Sequence, residues 1–239
     1  MKKLIIFLAV LLFAYDAKVE VFDTYKIKAP VAGEVVFSNK KLEAKEVNST
    51  IVKLDDTQNL IDLKNLQNQE KLLRLQIKNQ KKVVDKKRSV YEKYKNLKTK
   101  SQSEKDLKFY DYIGAYNQLL SLKSSLFNTI ANIKKLKDTI NKKRIRATGY
   151  VGKIYVNKGD YVAPGVLIGD VYDISKEKLT IYVPVGEKIK PNVYINGKPS
   201  NFKIYKVWRV PDSKYITSYK VELVGKGLKI GEIVKIELK

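Results

Sequence analysis

The sequence predicts an α+β protein: a long antiparallel α-helical coiled-coil hairpin inserted in a split β-sandwich, followed by a small antiparallel β-barrel. Three observations predict it. From Asp56 to Arg144 there is no Pro and a single Gly, Gly114, and apolar residues recur at helical spacing. One short phrase stands on both sides of that segment, "IKAPVAGEVV" from Ile27 and "IRATGYVGKIYV" from Ile145. From Leu179 onward, apolar and polar residues alternate between Gly and Pro punctuation.

Composition removes much of catalytic chemistry first. The 239 residues contain no Cys and no His, and the one Met is the initiator. Thiol nucleophiles, imidazole bases, Ser-His-Asp triads, disulfides and soft metal ligands are therefore excluded. No cofactor is expected, and neither a catalytic nor a metal-binding residue is assigned. Net charge is +23, from 48 basic and 25 acidic residues. Arg occurs only at 74, 88, 144, 146 and 209. A nucleic-acid binder would favour planar Arg forks, so the Lys excess points to a solvated surface, an acidic partner or anionic lipid before nucleic acid.

Residues 1–14 read as a signal peptide. Lys2 and Lys3 precede an apolar run from Leu4 to Ala14. At ~1.5 Å per residue the run reaches only about half of a ~30 Å hydrocarbon core. A basic start followed by a short apolar stretch is the form of an export signal, here with cleavage after Ala14. A short anchor that stays on is the alternative.

Residues 15–26, including "VEVFD" at Val19–Asp23, are expected to supply an N-terminal strand joining the barrel. Residues 27–55 form the first half of the sandwich. Ala44-Lys45 and Asn48-Ser49 are read as turns there, with a longer loop around Ser38–Leu42.

Residues 56–144 form the hairpin. Tyr112, Leu119, Leu126, Ile133 and Ile140 are each seven apart, and Leu122 and Leu136 flank Thr129 at the same period. That is an a/d seam. In the first arm Leu63, Ile77, Val84 and Tyr91 fill one row, interrupted by Glu70. Leu66, Leu73 and Tyr94 fill the other, interrupted by Gln80 and Lys87. The seam breaks near "LKTKSQSEKDL", leaving arms of roughly forty-five and forty-three residues, each reaching about 60 Å. Asp56 or Thr57 can cap the first helix; Ser101 with Glu104, or Ser103 with Asp106, can cap the second.

Residues 145–174 form the second half of the sandwich, with turns at Gly159-Asp160 and Pro164-Gly165. Neither half alone can bury an apolar face. If the hairpin returns the chain to its start, Ala29 and Ala147 share one core. Residues 175–239 form the barrel, with strands in "LTIYVPV", "PNVYINGKP", "NFKIYKVWRV", "SYKVELVG" and "GEIVKIELK". Tyr205 and Trp208 are assigned to barrel packing before interface anchoring.

Ile27, Lys28, Ala29, Pro30, Gly33 and Val35, then Gly152, Ile154, Gly159, Asp160, Val162 and Gly165, follow the two half-motifs of a split lipoyl-like domain. In this order, around a balanced helical hairpin, the chain resembles the periplasmic adaptors, or membrane fusion proteins, of the HlyD family, an RND-efflux or MacA-like adaptor subunit. In a true lipoyl carrier a modified Lys sits between the halves; here the helices occupy that place, so a carrier role is not expected. The resemblance implies a barrel after the second half. It also suggests that the family's further membrane-proximal domain is missing, since only about a dozen residues separate the leader from Ile27.

In such adaptors the hairpin tip carries an Arg, a Leu four residues later and a Ser seven after that. The stretch "VYEKYKNLKTKSQSEKD" aligns without gaps and places Val90 at the Arg, Tyr94 at the Leu and Ser101 at the Ser, with Glu104 and Asp106 in the following spacing. Arg88 lies two residues, about half a helical turn, from the Arg position. Val90, Tyr94, Ser101 and Glu104 are thus the candidate channel-docking residues. Ala29, Pro30, Gly33, Gly152, Gly159, Asp160 and Gly165 are the structural motif. The resemblance implies a periplasmic, non-enzymatic subunit of a tripartite efflux or secretion system. Its partners would be an inner-membrane transporter of RND or ABC type, a TolC-like outer-membrane channel and further copies of itself, as a hexamer or a trimer of dimers, with no nucleic acid. The rival reading is a basic coiled-coil protein that binds anionic membrane or another envelope partner without a transport role.

Overall fold

The computed structural model describes residues 14–211 and 213–239. The leader assigned to residues 1–14 lies outside them except for Ala14. The chain is α+β, with two long helices between antiparallel sheets. In chain order the strands are β1 (Tyr15–Lys18), β2 (Glu20–Lys28), β3 (Gly33–Ser38) and β4 (Lys45–Leu54). Helices α1 (Thr57–Lys95) and α2 (Gln102–Lys142) follow. Then come β5 (Arg144–Ile154), β6 (Tyr161–Val162), β7 (Leu167–Pro184), β8 (Val193–Ile195), β9 (Lys198–Pro199), β10 (Lys203–Trp208), β11 (Ser218–Gly225) and β12 (Ile233–Leu238). One sheet runs β1-β12-β8-β9; the larger runs β10-β11-β7-β5-β4-β3-β6, with β2 also paired to β7. Among the described residues no helix is long and apolar enough to cross a membrane.

The helices contain 39 and 41 residues, shorter than the arms expected from the seam, because six residues, Asn96 to Ser101, make the turn. The seam buries Leu73, Ile77 and Val84 from α1 against Ala115, Leu119, Thr129, Ile133 and Ile140 from α2. Two of the polar interruptions have partners across it. The Gln80 amide donates to the Ala115 carbonyl at 2.9 Å, and the Lys87 ammonium lies 3.7 Å from Asp111. A half-buried amide that finds a carbonyl fixes register where a Leu would only fill space.

The sequence repeat is explained by one core. Ala29, Val35, Ile51, Val52 and Leu54 from before the hairpin pack with Ile145, Ala147, Val151, Ile154, Val162 and Ile168 from after it. Ala29 and Ala147 are 2% and 1% exposed in that cluster. The two segments are stitched by the β4–β5 ladder, from Lys45 opposite Val151 to Lys53 opposite Arg144. Strand β3 also pairs with β6, Gly33 opposite Val162. Asn48 and Ser49 do not form a turn. They lie inside β4 opposite Thr148 and Ala147, because the ladder needs their backbone groups more than the local side chains favour a bend. Ala44 does turn the chain, with φ of 57°.

A second core lies beyond it. Leu179, Ile181 and Val183 of β7 pack with Ala17, Val19, Val193, Ile195, Val221, Leu223, Val234 and Ile236. The 18-residue β7 serves both cores, Ile168 and Val171 in the first and Leu179 onward in the second, so the chain runs through 174/175 as unbroken strand. Strand β2 accompanies it, from Glu20 opposite Lys178 to Lys28 opposite Leu167. The N-terminal segment thus makes two strands: β1 on β12 and β2 on β7. The stretch "PNVYINGKP" likewise splits, since Asn196 and Gly197, with φ of 51° and 77°, turn β8 onto β9.

Candidate functional site

The site begins with how the hairpin is held at its foot. The β4–β5 ladder continues to the helix ends, where the Leu54 N–H donates to the Lys143 carbonyl at 2.8 Å. Lys143 caps α2, and its ammonium reaches across to the Asp55 carbonyl at 2.6 Å and the Asn59 side-chain oxygen at 2.5 Å. One cation therefore bridges both helices where they leave the sheet. Asp56 does not cap α1. It is 3% exposed and pairs with Lys53 at 2.9 Å, while Asp55 accepts from the Thr57 N–H at 3.0 Å. The Thr57 hydroxyl beside it holds the Asp55 carboxyl below the usual carboxylate range.

The motif residues of the two halves meet in this foot. Ala29 donates its N–H to the Val166 carbonyl and accepts from the Gly165 N–H, both at 2.8 Å. Pro30 is the exposed residue that follows. Gly159 donates to the Val35 carbonyl while Val35 donates to that of Asp160, again at 2.8 Å. Gly159 holds φ of 94°, a conformation that strains any residue with a Cβ, and the Asp160 carboxylate accepts from the Asn157 N–H at 2.7 Å. Gly152 is required for a different reason: a Cβ there would lie 2.6 Å from the Tyr172 ring.

At the other end, Ser101 begins α2 with a complete capping box. The Glu104 N–H donates to the Ser101 hydroxyl at 3.3 Å, and the Ser101 N–H donates to the Glu104 carboxylate at 3.0 Å. The alternative box from Ser103 is not used; Asp106 instead accepts from the Gln102 amide at 2.7 Å. The Lys100 ammonium donates to Glu104 at 2.9 Å. This contact, with the Ser101 donors, brings the Glu104 carboxyl down to about 2.

Tyr94 is half-buried near the end of α1, with Lys100 and Lys108 over its ring, 5.4 Å and 5.7 Å from the centroid. Val90 lies one turn earlier, half-buried and apolar; Arg88 is exposed on the same helix. The structure thus groups Tyr94, Ser101 and Glu104 around Lys100. Lys100 and Lys108 were not legible as site residues among so many lysines. Below them Tyr91 packs on Phe109 and Tyr112 at 5.4 Å and 6.3 Å, and Tyr112 on Tyr116 at 6.3 Å. From Lys93 to Lys108 six Lys stand against Glu104 and Asp106, so the tip is cationic. Leu97 and Leu107 are 44% and 59% exposed on it. Such a surface suits a partner with acidic and apolar groups. Among the described residues no group of carboxylates is placed to hold a metal ion.

Comparison with solved structures agrees with this geometry. MacA from Actinobacillus actinomycetemcomitans superposes with a TM-score of 0.76 at 17% identity, covering 95% of this chain and 78% of that one. The membrane fusion protein Spr0693 from Streptococcus pneumoniae R6 gives 0.61 at 12% identity, covering 95% and 98%. This chain has the membrane fusion protein fold. A MacA–MexA chimera containing the Pseudomonas aeruginosa MexA α-hairpin domain shares that fold too, at a TM-score of 0.64 and 16% identity over 95% and 78% of the two chains. No protein-family model and no curated protein matches the sequence. At these identities the membrane fusion protein fold is carried by the pattern of strands and seam, not by shared side chains.

Proposed function

We propose that the protein is an exported periplasmic adaptor of a tripartite efflux or secretion system, linking an inner-membrane transporter to a TolC-like outer-membrane channel. The observation that carries this reading is a cationic, capped hairpin tip, about 60 Å of helix from a foot locked into a shared core. The fold likeness to MacA and to a membrane fusion protein supports it. On this reading the first core is a lipoyl-like sandwich built from residues 27–55 and 145–174. Residues 175–239 with the N-terminal strands form a β-barrel, and the leader is removed.

The role is mechanical, not catalytic. Several copies, as a hexamer or trimer of dimers, surround a passage, and their tips meet the channel through Tyr94, Ser101 and the flanking surface near Val90 and Glu104. The transporter is of RND or ABC type. Ala29, Pro30, Gly33, Gly152, Gly159, Asp160 and Gly165 serve the assembly by holding the hairpin's foot.

A photocrosslinker at position 94 or 101 tests the reading in envelopes of the native host. An outer-membrane channel trapped from these positions, and not from Leu60 near the foot, is the expected result. Failure to trap any channel from the tip would overturn it. The rival reading, a basic coiled-coil protein without transport role, predicts that deleting residues 145–174 leaves partner binding intact; the adaptor reading predicts its loss.

A further inference from the structure

We propose that the outer face of the large sheet around Trp208 is a docking surface for an anionic lipid bilayer. This goes beyond the adaptor reading and does not depend on the tip. In β7 and β11 the residues Ile181, Val221 and Leu223 point into the second core. Their alternates therefore stand on the opposite face. Register places Trp208 opposite Lys220 and Lys220 opposite Tyr182, with Lys206 opposite Glu222.

On that face rings and ammonium groups alternate. Phe22 meets Tyr205 edge-on at 5.7 Å, with Lys176 over the Phe22 ring at 5.7 Å. Lys206 lies 4.9 Å from the Tyr205 ring centre and 5.9 Å from that of Trp208, and Lys220 lies 5.9 Å from Trp208. Tyr205 and Trp208 are 50% and 49% exposed. Of the acidic residues nearby, Glu222 is 8% exposed and paired with Lys220 at 2.8 Å, and Glu20 at the edge of the patch stands opposite Lys178. Just past Trp208, the connection from β10 to β11 carries Val210 and Ile216, 83% and 72% exposed, beside the cationic Arg209.

A bilayer surface matches each part. Amphipathic Trp and Tyr rings sit at headgroup depth, Lys ammonium groups meet headgroup phosphates, and protruding aliphatic side chains enter the acyl boundary. Nucleic acid fits less well. The forked donors that favour phosphate recognition are nearly absent, and Arg209 is the one Arg beside the rings.

Trp208 is the chain's single tryptophan, so its emission reports on this face alone. The test mixes the full-length protein with vesicles of phosphatidylcholine, with and without phosphatidylglycerol. With phosphatidylglycerol present, Trp208 emission is expected to shift to the blue and to be quenched by lipids brominated near the headgroup. With phosphatidylcholine alone it is expected not to change. Lys176→Gln and Lys206→Gln should each weaken the partitioning read by Trp208 about fivefold. Val210→Ser with Ile216→Ser should reduce the blue shift with the circular dichroism spectrum unchanged. Emission unaffected by phosphatidylglycerol overturns the proposal, even if the protein sediments with the vesicles, because the apolar leader can bind by itself. An equal shift on phosphatidylcholine also overturns it, as does stronger quenching by oligo(dT) at the same phosphate concentration. The crosslinking result at the tip is unaffected by any of these outcomes.

Discussion

The two ends of the hairpin are built on opposite principles. At the foot, residues on either side of the hairpin and far apart in sequence close one apolar core, and a single ammonium ties both helices to the sheet. At the tip the cap is local: Ser101, Glu104 and Lys100 satisfy one another within a few residues, and large apolar groups remain exposed. The foot is thus specified by the whole fold and the tip by a short segment. A lever needs this division, because its end can be re-tuned to a partner without disturbing what holds it.

The strongest way to break that contrast is a truncation in the shared core. Leu54 is fully buried between the halves, and its side chain is what a Cβ at Gly33 would meet, at 3.3 Å. Leu54→Ala is expected to cost about 2–5 kcal/mol in urea unfolding, by lost burial and the cavity left behind. Leu97→Ala at the tip should change stability by less than about 0.5 kcal/mol, since Leu97 is already 44% exposed. Equal costs at the two sites would mean that the foot is not the keystone.

Next in size is the foot's cation. Lys143→Met keeps the aliphatic stem but removes the donor shared by the Asp55 carbonyl and Asn59. A loss of about 1.5–3 kcal/mol is expected, the range of a hydrogen bond to a charged group. Hydrogen exchange should quicken in the first turn of α1 and the last of α2, and not at the tip. Faster exchange at both ends would show that the helices respond as one unit.

How much of this was readable differs between the ends for a physical reason. The seam is a period in the sequence, so Leu119, Ile133 and Ile140 announced themselves. Ala115 stands in the seam's other row, seven before Leu122, but did not, because a small side chain gives little apolar signal; it is buried against Ile77 and Val84. The capping box was legible because it is a three-residue spacing. Lys143, Lys100 and Lys108 were not legible, since their roles depend on which of many lysines the fold brings to a carbonyl, a carboxylate or a ring. The strand at Asn48 misled for a related reason: local turn chemistry is weaker than a ladder closed from the other side of the hairpin. Strand β7 hid its continuity because the two cores it serves are separated by the polar stretch from Asp173 to Lys178.

The tip's own stability should follow its carboxylate. Ser101→Ala removes the acceptor for the Glu104 N–H and is expected to cost about 1 kcal/mol, seen as faster exchange at the start of α2. The pH dependence has a definite sign. Glu104 titrates at about 2 in the folded tip against 4.5 when free, with the Lys100 contact as the main cause. Its contribution is therefore complete above about 4.5 and is lost as pH falls toward about 2. Exchange protection in residues 101–105 should fall over that window in the wild type, and Glu104→Gln should abolish the dependence. A tip with protection constant across the window would show that the Ser101 hydroxyl, and not the Glu104 carboxylate, sets the order there.

The smallest expected effect tests whether the shaft between the ends is under any constraint besides its seam. Gly114 lies inside α2 next to buried Ala115, yet it is exposed, and a Cβ built there meets nothing within 4 Å. Helix propensity then acts unopposed, so Gly114→Ala should stabilise the protein by roughly 0.5–1 kcal/mol, in part by restricting the unfolded chain. Thermal unfolding of the pair of proteins measures this, and crosslinking from position 94 to the proposed channel partner shows whether a stiffer shaft still delivers the tip. A gain in stability with undiminished crosslinking means the Gly serves no mechanical purpose. A gain with crosslinking lost would place a required bend at Gly114, in the tip-side third of α2, and the contrast between a fixed foot and a free tip would then have to include a hinge between them.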